Sequence, residues 1–135
     1  MIDFYNEYFT IVADEVREAH PGANVVGEFV RQPSRFPTVT LDEYENVMES
    51  WLEDSSGEEN FAGVSLRLQV FSNKRHGKKS EARAIFATAD AVMRKLGFRR
   101  VSYTTTPDHY DTMVYQITAT YEAIISASGW VYKRR

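Results

Sequence analysis

The chain has 135 residues, the usual length of one domain, and no cysteine, which excludes disulfides, thiol nucleophiles and thiolate metal sites. Its formal net charge of −3 is too small to indicate a general affinity for nucleic acid. The amino terminus MIDFYNEYF lacks the lysines and the apolar run of a signal peptide, and no stretch approaches the roughly 20 apolar residues of a membrane span. We therefore expect a soluble protein that stays where it is made, organised as a single domain over residues 1–135.

The first part of the chain predicts a helix and two strands. Residues 2–19 carry an apolar stripe at alternating spacings of three and four, formed by Ile2, Tyr5, Phe9, Val12 and Val16. The turn-forming residues His20-Pro21-Gly22 would end this helix. Strands are predicted at 24–30 and 36–44, with a hairpin connection at Gln32-Pro33-Ser34-Arg35.

Residues 45–60 form an acidic segment that ends near a loop signal, Asp54-Ser55-Ser56-Gly57. The segment is either a short helix or a loop whose exposed apolar side chains fold only against a partner. Four apolar residues of the segment have helix-like spacing, namely Val47, Met48, Trp51 and Leu52. Trp51 is accordingly either an interface anchor or simple packing.

The clearest periodic signals lie between residues 61 and 125. Residues 61–72 alternate apolar and mixed positions with period two, which predicts a strand with one apolar face. Residues 78–96 carry a helical apolar stripe, and Gly97 is placed as the C-terminal cap of that helix. Further strands are predicted at 99–106 and 112–125, and a short C-terminal tail covers about 126–135.

These elements occur in the order α-β-β-β-α-β-β. The order predicts an α+β fold in which about five mostly antiparallel strands form one sheet and the two helices pack on one face. The mixed side chains of strand 61–72 would then lie on the second face, and nothing in the sequence obviously covers that face.

The segment FSNKRHGKKSEA, residues 71–82, has the strand–loop–helix layout of many phosphate-binding sites. It contains a single glycine, Gly77, whereas a P-loop or a dinucleotide fingerprint needs more glycines at fixed spacings. We therefore expect Gly77 to let the chain turn from strand into helix while the neighbouring lysines stay in water. An anion held at the bare helix N-terminus is the alternative.

Signals for catalysis and metal binding are weak throughout the chain. His20, His76 and His109 lack metal-ligand spacing, and no serine stands in a nucleophile-elbow setting. We expect no enzyme activity, no cofactor and no metal ion. Aromatic side chains beside Arg67 could stack single-stranded bases, but the aromatic pattern of RNA-recognition sheets is absent.

Charge is distributed unevenly along the chain. Residues 36–60 contain eight carboxylates and no Lys, Arg or His, whereas residues 61–100 contain ten Lys or Arg against two carboxylates. The acidic and basic stretches are either two solvated surfaces or two complementary surfaces, so that the acidic side of one copy meets the basic side of the next, head to tail.

The sequence resembles the tail-terminator, or tail-completion, proteins of long-tailed bacteriophages. The resemblance spans most of the chain and rests on the amino-terminal amphipathic helix, the strand FPTVTLDEYE, the stretch LRLQVFSNKRHGKKSEARAIFATADAVMRKLGF and the late strand TMVYQITATYEAII. These are patterns of fold and not catalytic signatures, and other neck proteins of virions share some of them. The tail GWVYKRR has no match in the family pattern.

The resemblance implies a non-catalytic protein of the virion tail and neck, assembled in the cytoplasm of a bacterial host. Such proteins form a ring, commonly a hexamer, that caps the tail tube, stops its growth and offers a surface to the head connector. The implied partners are further copies of the chain, the tail tube protein and a head-completion or connector protein, while DNA would pass through the ring without specific binding. The acidic and basic stretches would supply the interface residues, which are Glu49, Trp51, Leu52, Glu53, Asp54, Lys74, Arg75, Lys78 and Lys79.

A second interpretation is a ferredoxin-like cellular module that binds a small ligand or single-stranded nucleic acid. Salt-dependent binding of an oligonucleotide would favour this module over the ring.

Overall fold

Two helices and six strands form the described part of the computed structural model, which covers residues 1–48, 61–107, 113–128 and 131–132. In chain order they are α1 (Tyr5–Ala19), β1 (Asn24–Val26), β2 (Thr38–Met48), β3 (Phe61–Ser72), α2 (Lys78–Lys95), β4 (Arg99–Thr106), β5 (Tyr115–Ser126) and β6 (Val131–Tyr132). The predicted α+β class and the order α-β-β-β-α-β-β are confirmed. The tail after residue 126 adds the two-residue strand β6, which the sequence did not predict.

The strands form one mixed sheet in the order β1-β2-β3-β5-β4, with β6 paired to β5. All pairs are antiparallel except β1 with β2, which run parallel. The predicted hairpin at residues 32–35 is therefore wrong, because parallel neighbours cannot be joined by a tight turn. Strand β1 is also shorter than predicted, since it ends at Val26 and the chain then returns through residues 27–37 to begin β2.

Strand β2 continues into the acidic segment. Glu45 pairs with Ser65, and Met48 pairs with Ala62, after a register shift between Glu43 and Glu45. The helical interpretation of residues 45–48 is therefore wrong, because cross-strand pairing with β3 overrides the local spacing. The rest of the acidic segment, residues 49–60, lies outside the described residues.

Both helices pack on one face of the sheet, as predicted. The buried residues of α2 are those of the predicted stripe, from Ala82 to Met93. In α1 the buried face is rotated relative to the predicted apolar stripe. Tyr8 and Ala13 are buried, while Tyr5 and Phe9 are only partly buried. The alternating apolar face of β3 meets these helices, and β5 presents Ile117, Ala119 and Tyr121 beside it. These side chains form one continuous core.

The helix ends are set by backbone geometry. Gly97 has a φ of 96°, and the Phe98 N–H that follows it donates to the Met93 carbonyl at 3.0 Å. This arrangement closes α2 with a left-handed residue, so the predicted cap is confirmed. At the end of α1 the His20 N–H donates to the Val16 carbonyl at 2.7 Å.

The second face of the sheet is covered over part of its area. Gln69 and Phe71 are buried there, and the Thr40 hydroxyl donates to Gln69 Oε1 at 2.7 Å. Phe29, from the return between β1 and β2, lies over the guanidinium of Arg67 on this face. The expectation of an uncovered mixed face is therefore wrong for the part of the sheet around these residues.

Candidate interaction surfaces

Strand β3 separates the acidic and basic segments. The acidic run leaves β2 after Met48 and rejoins the sheet at Phe61, at one end of β3. The basic turn follows Ser72, at the other end. A strand rises about 3.4 Å per residue, so the twelve residues of β3 put Phe61 roughly 37 Å from Ser72. The two points at which the acidic run leaves and rejoins the sheet therefore lie at the opposite end of β3 from the basic turn.

The predicted interface residues fall into two groups. Lys74 and Arg75 lie in the exposed turn between β3 and α2, and Lys78 and Lys79 are the first two residues of α2. These four cations are brought together at one end of the sheet. The other predicted interface residues lie outside the described part of the chain, and they are Glu49, Trp51, Leu52, Glu53 and Asp54.

The turn before α2 has the geometry of a strand-to-helix corner. Gly77 has a φ of 95°, in the left-handed region that favours glycine, and a Cβ on it would meet nothing within 4 Å. The Ser72 hydroxyl donates to Glu81 Oε1 at 2.7 Å. This places a carboxylate in the first turn of α2, where it complements the helix dipole and competes with any bound anion. The corner therefore favours the structural interpretation of Gly77 over a phosphate site.

The basic stretch 74–100 extends along α2 and into β4. Residues 74–79 lie at the start of α2, whereas Arg94, Lys95, Arg99 and Arg100 lie beyond its end or in its last turn. The 18 residues of α2 span about 27 Å at 1.5 Å per residue. Arg99 pairs with Glu122 at 3.2 Å, near the strand end that carries Glu45. Some cations of this stretch therefore lie near the strand end that carries Glu45, while Lys74, Arg75, Lys78 and Lys79 lie at the other end.

A groove of about 490 Å³ runs between α2 and β4. Its lining contains three cations and one carboxylate, together with aromatic rings. The lining residues are Lys79, Arg83, Phe86, Ala87, Asp90, Arg100, Tyr103, Thr105 and Tyr115. The sequence analysis did not find this groove. The sequence did contain one indication of the groove: Lys79 and Arg83 are four residues apart, which puts both cations on one side of α2.

The carboxylate in the groove is already engaged. The hydroxyl of Tyr121 donates to Asp90 Oδ1 at 2.6 Å, and Arg100 Nη1 donates to the same oxygen at 3.1 Å. Burial, together with the hydrogen bond to Asp90, raises the pKa of Tyr121 well above that of a free tyrosine. The groove therefore has a fixed floor in which Asp90 is shared between a buried hydroxyl and a guanidinium.

A broader depression of about 1010 Å³ lies where β2, β3 and β5 meet the turn from α2 into β4. It has mixed charge, because its lining includes Glu45, Glu122, Arg94, Arg99 and Arg100. In the described residues there is no group of three or more His, Asp or Glu side chains that could hold a metal ion.

Comparison with known proteins gave no relative: no family model matches the chain, and no curated protein matches it. Among the described helices, none is long and apolar enough to cross a membrane.

Proposed function

We propose that this chain is a structural virion protein that forms a ring on the end of a phage tail tube. The ring would stop tube growth and provide the joining surface for the head connector, and the chain would be assembled in the cytoplasm of a bacterial host. The observation that carries the proposal is that the basic turn and the two anchors of the acidic segment, Met48 and Phe61, lie at opposite ends of β3. The order of elements, which resembles that of tail-terminator proteins, supports it.

The distance between the basic turn and the anchors of the acidic run favours contact of that turn with another copy. At physiological ionic strength the Debye length is about 8 Å. A run that is anchored at Phe61 and reaches at most about 20 Å stays roughly 17 Å or more from the basic turn after Ser72, so the two attract each other only weakly. In a head-to-tail arrangement the acidic end of one copy meets the basic end of the next. A heterologous interface of this kind closes into a ring when its rotation divides a full turn, and six copies are expected from the resemblance.

The interfaces would do all the work of such a protein. Opposite charges raise the rate of encounter and fix the orientation of the partners, while desolvated apolar side chains supply affinity. In this proposal the four cations at the start of α2 contact a neighbouring copy. The acidic segment 45–60 contacts the neighbour or the tail tube and contributes Trp51 and Leu52.

Native mass spectrometry over a range of protein concentrations and ionic strengths tests the ring. We expect a hexamer population that grows with concentration and falls with salt. Lys74→Ala/Arg75→Ala should reduce the hexamer, whereas Arg94→Ala/Lys95→Ala removes the same charge from the other end of α2 and should retain it. A chain that stays monomeric at every condition, both alone and on isolated tail tubes seen by electron microscopy, would contradict the proposal.

The role of the acidic segment is tested by Trp51→Ala. We expect this variant to lose either ring assembly or binding to the tail tube. Ile11, which is 43% exposed on α1, offers a matched control, and Ile11→Ala should keep both properties. If Trp51→Ala keeps both properties as well, the proposed role of Trp51 is wrong while the ring itself still stands.

A further inference from the structure

We infer that the groove between α2 and β4 is the receiving half of the contact between copies and that it binds the acidic run of a second copy of this chain. The inference rests on the ring proposed above and specifies which surface of one copy meets which segment of the next.

The groove carries two cations that are not neutralised within the described part of the chain. Lys79 and Arg83 are one helical turn apart and exposed, and neither forms an ion pair with a described residue. The third cation, Arg100, faces them from β4 and is bound to Asp90. Asp90 is the one carboxylate among the described lining residues, and it is shared between Arg100 and Tyr121, so the described groove presents positive charge to an incoming chain.

The groove also offers apolar contact area. The rings of Phe86 and Tyr103 pack edge to face with centroids 5.1 Å apart. The Arg100 guanidinium lies 6.0 Å from the Phe86 centroid and 5.9 Å from the Tyr103 centroid. Tyr103 is 43% exposed, so an apolar side chain of a partner can pack against it. Charged and aromatic groups together favour a peptide that carries both carboxylates and apolar side chains.

Strand β4 is an open edge of the sheet. It pairs with β5 on one side, and no described strand pairs with its other side. Its residues from Arg99 to Thr105 are exposed. An edge strand presents unpaired backbone N–H and C=O groups, which can bind an extended segment of another chain. The groove therefore combines a backbone docking edge with side-chain charge.

The acidic run of the same chain has the complementary charge. Residues 49–60 carry five carboxylates without a single Lys, Arg or His, and Trp51 and Leu52 lie among them. This is the peptide chemistry that the groove favours.

The acidic run of the same copy is too short to fill the groove. Residues 49–60 are anchored at Met48 and Phe61, and Met48 pairs with Ala62, so the two anchors are adjacent. A twelve-residue segment anchored at both ends reaches at most about 20 Å. Lys79, the second residue of α2, lies at the opposite end of β3, roughly 35 Å away along the strand. Arg100 lies closer, because it pairs with Tyr121 and is level with Leu66, about 17 Å along β3 from Phe61. The occupant of the Lys79 and Arg83 end of the groove is therefore a second copy.

Mixing two one-sided variants tests the inference. The variant Lys79→Glu/Arg83→Glu reverses the charge of the groove and keeps the acidic run. The variant Glu49→Lys/Glu53→Lys reverses the charge of the acidic run and keeps the groove. In native mass spectrometry each variant alone should show a hexamer population at least about tenfold below that of the unmodified chain. An equimolar mixture should restore the hexamer with the two variants in equal number, because the intact groove of one variant binds the intact acidic run of the other and the two charge-reversed surfaces also attract. Arg94→Glu/Lys95→Glu makes the same charge change outside the groove and should still form the ring.

The outcomes separate this inference from the proposed ring. If Lys79→Glu/Arg83→Glu still assembles while Lys74→Ala/Arg75→Ala does not, the groove assignment is wrong and the ring remains. If the unmodified chain never assembles, alone or on tail tubes, both are wrong. If the unmodified chain is monomeric and binds a single-stranded oligonucleotide through Lys79 and Arg83, the groove is a nucleic-acid site and the inference is overturned. Unchanged circular dichroism and thermal midpoint establish that each variant is folded.

Discussion

Arg67 and Asp42 form a two-bond fork across β3 and β2. Arg67 Nε donates to Asp42 Oδ1 at 3.1 Å, and Nη2 donates to Oδ2 at 2.7 Å. The guanidinium also lies near two rings, 4.1 Å from the Phe29 centroid and 5.4 Å from the Tyr44 centroid. Arg67 therefore connects the second face of the sheet to the return between β1 and β2 through its contact with Phe29.

Arg67→Lys is expected to lower the free energy of unfolding by about 1–2 kcal/mol. Lysine keeps the charge, but it loses the two-bond geometry and the flat surface that contacts the Phe29 ring. The change is measured by urea denaturation. Arg99→Lys is the matched control, because its ion pair with Glu122 is 76% and 52% exposed and should contribute under about 1 kcal/mol. Equal effects of the two substitutions would contradict the structural role of the fork.

Gly27 approaches the Tyr5 hydroxyl more closely than a side chain would allow. That hydroxyl lies 2.9 Å from the Gly27 carbonyl oxygen and also bonds the Leu41 carbonyl oxygen. A Cβ at Gly27 would lie 2.6 Å from the hydroxyl, so Gly27→Ala should lower the free energy of unfolding by about 1–3 kcal/mol.

Removing the hydroxyl should relieve that clash. In the double variant Tyr5→Phe/Gly27→Ala, the nearest remaining ring atoms are 3.6 Å or more from the added Cβ, which is ordinary contact. We therefore expect the double variant to be less destabilised than the sum of the two single variants in urea denaturation. Gly22→Ala is the control, because nothing lies within 4 Å of a Cβ there. Strict additivity would contradict the proposed contact.

Strands and helices with a buried face were predictable from the sequence, whereas features fixed by distant pairing were not. Strand β3 and helix α2 were predicted because burial on one side selects apolar residues at period two or 3.6. The parallel pairing of β1 with β2 has no local signal, since a partner ten or more residues away decides it. Residues 45–48 had helix-like spacing, but pairing with β3 made them a strand.

The interaction surfaces show the same limit. The basic turn at Lys74 and Arg75 was predicted, because solvated cations beside a glycine turn are visible in the sequence itself. The groove was not predicted, since it depends on β4 lying beside β5 so that Tyr103 reaches Phe86. Nothing in the order of residues places those two side chains together before the sheet topology is known.

Tyr121→Phe is expected to lower the free energy of unfolding by about 1–2 kcal/mol at neutral pH, because a buried hydroxyl loses its hydrogen bond to a carboxylate. Tyr44→Phe removes a hydroxyl from a 47% exposed ring and should have little effect. The comparison is made by urea denaturation. A loss of equal size in both variants would mean that the Asp90 contact contributes nothing to stability.

The Tyr121 hydroxyl also makes the stability of the fold depend on pH in the alkaline range. Burial raises the pKa of Tyr121, and burial with nearby carboxylates raises the pKa of Tyr5 to about 12. The folded state therefore keeps protons that the unfolded state loses near pH 10, so stability is complete below about pH 10 and falls as pH rises towards 12 and beyond. Tyr121→Phe should make this decline shallower, measured as the urea midpoint between pH 9 and 11. An unchanged slope would contradict the raised pKa of Tyr121.

Glu43 gives the opposite test, at acidic pH. Burial is the main cause that raises the pKa of its carboxyl, the nearby Asp3 raises it further, and a hydrogen bond from Asn46 lowers it. Because the folded state favours the protonated form, the stability that Glu43 contributes is complete below the unfolded pKa of about 4.3 and is lost as pH rises through the higher folded value. At neutral pH the ionised carboxylate is therefore unfavourable in the fold.

Glu43→Gln is accordingly expected to raise the urea midpoint at pH 7, and this gain should shrink towards pH 4, where the native carboxyl is itself neutral. Glutamine retains an oxygen at the position where Glu43 Oε1 accepts from Asn46 Nδ2 at 3.4 Å, so the substitution removes charge with little loss of contact. Glu45→Gln, at an exposed position two residues along β2, removes the same charge and should shift the midpoint less at pH 7. A lower midpoint for Glu43→Gln at pH 7 would mean that the ionised carboxylate stabilises the fold, contrary to the raised pKa.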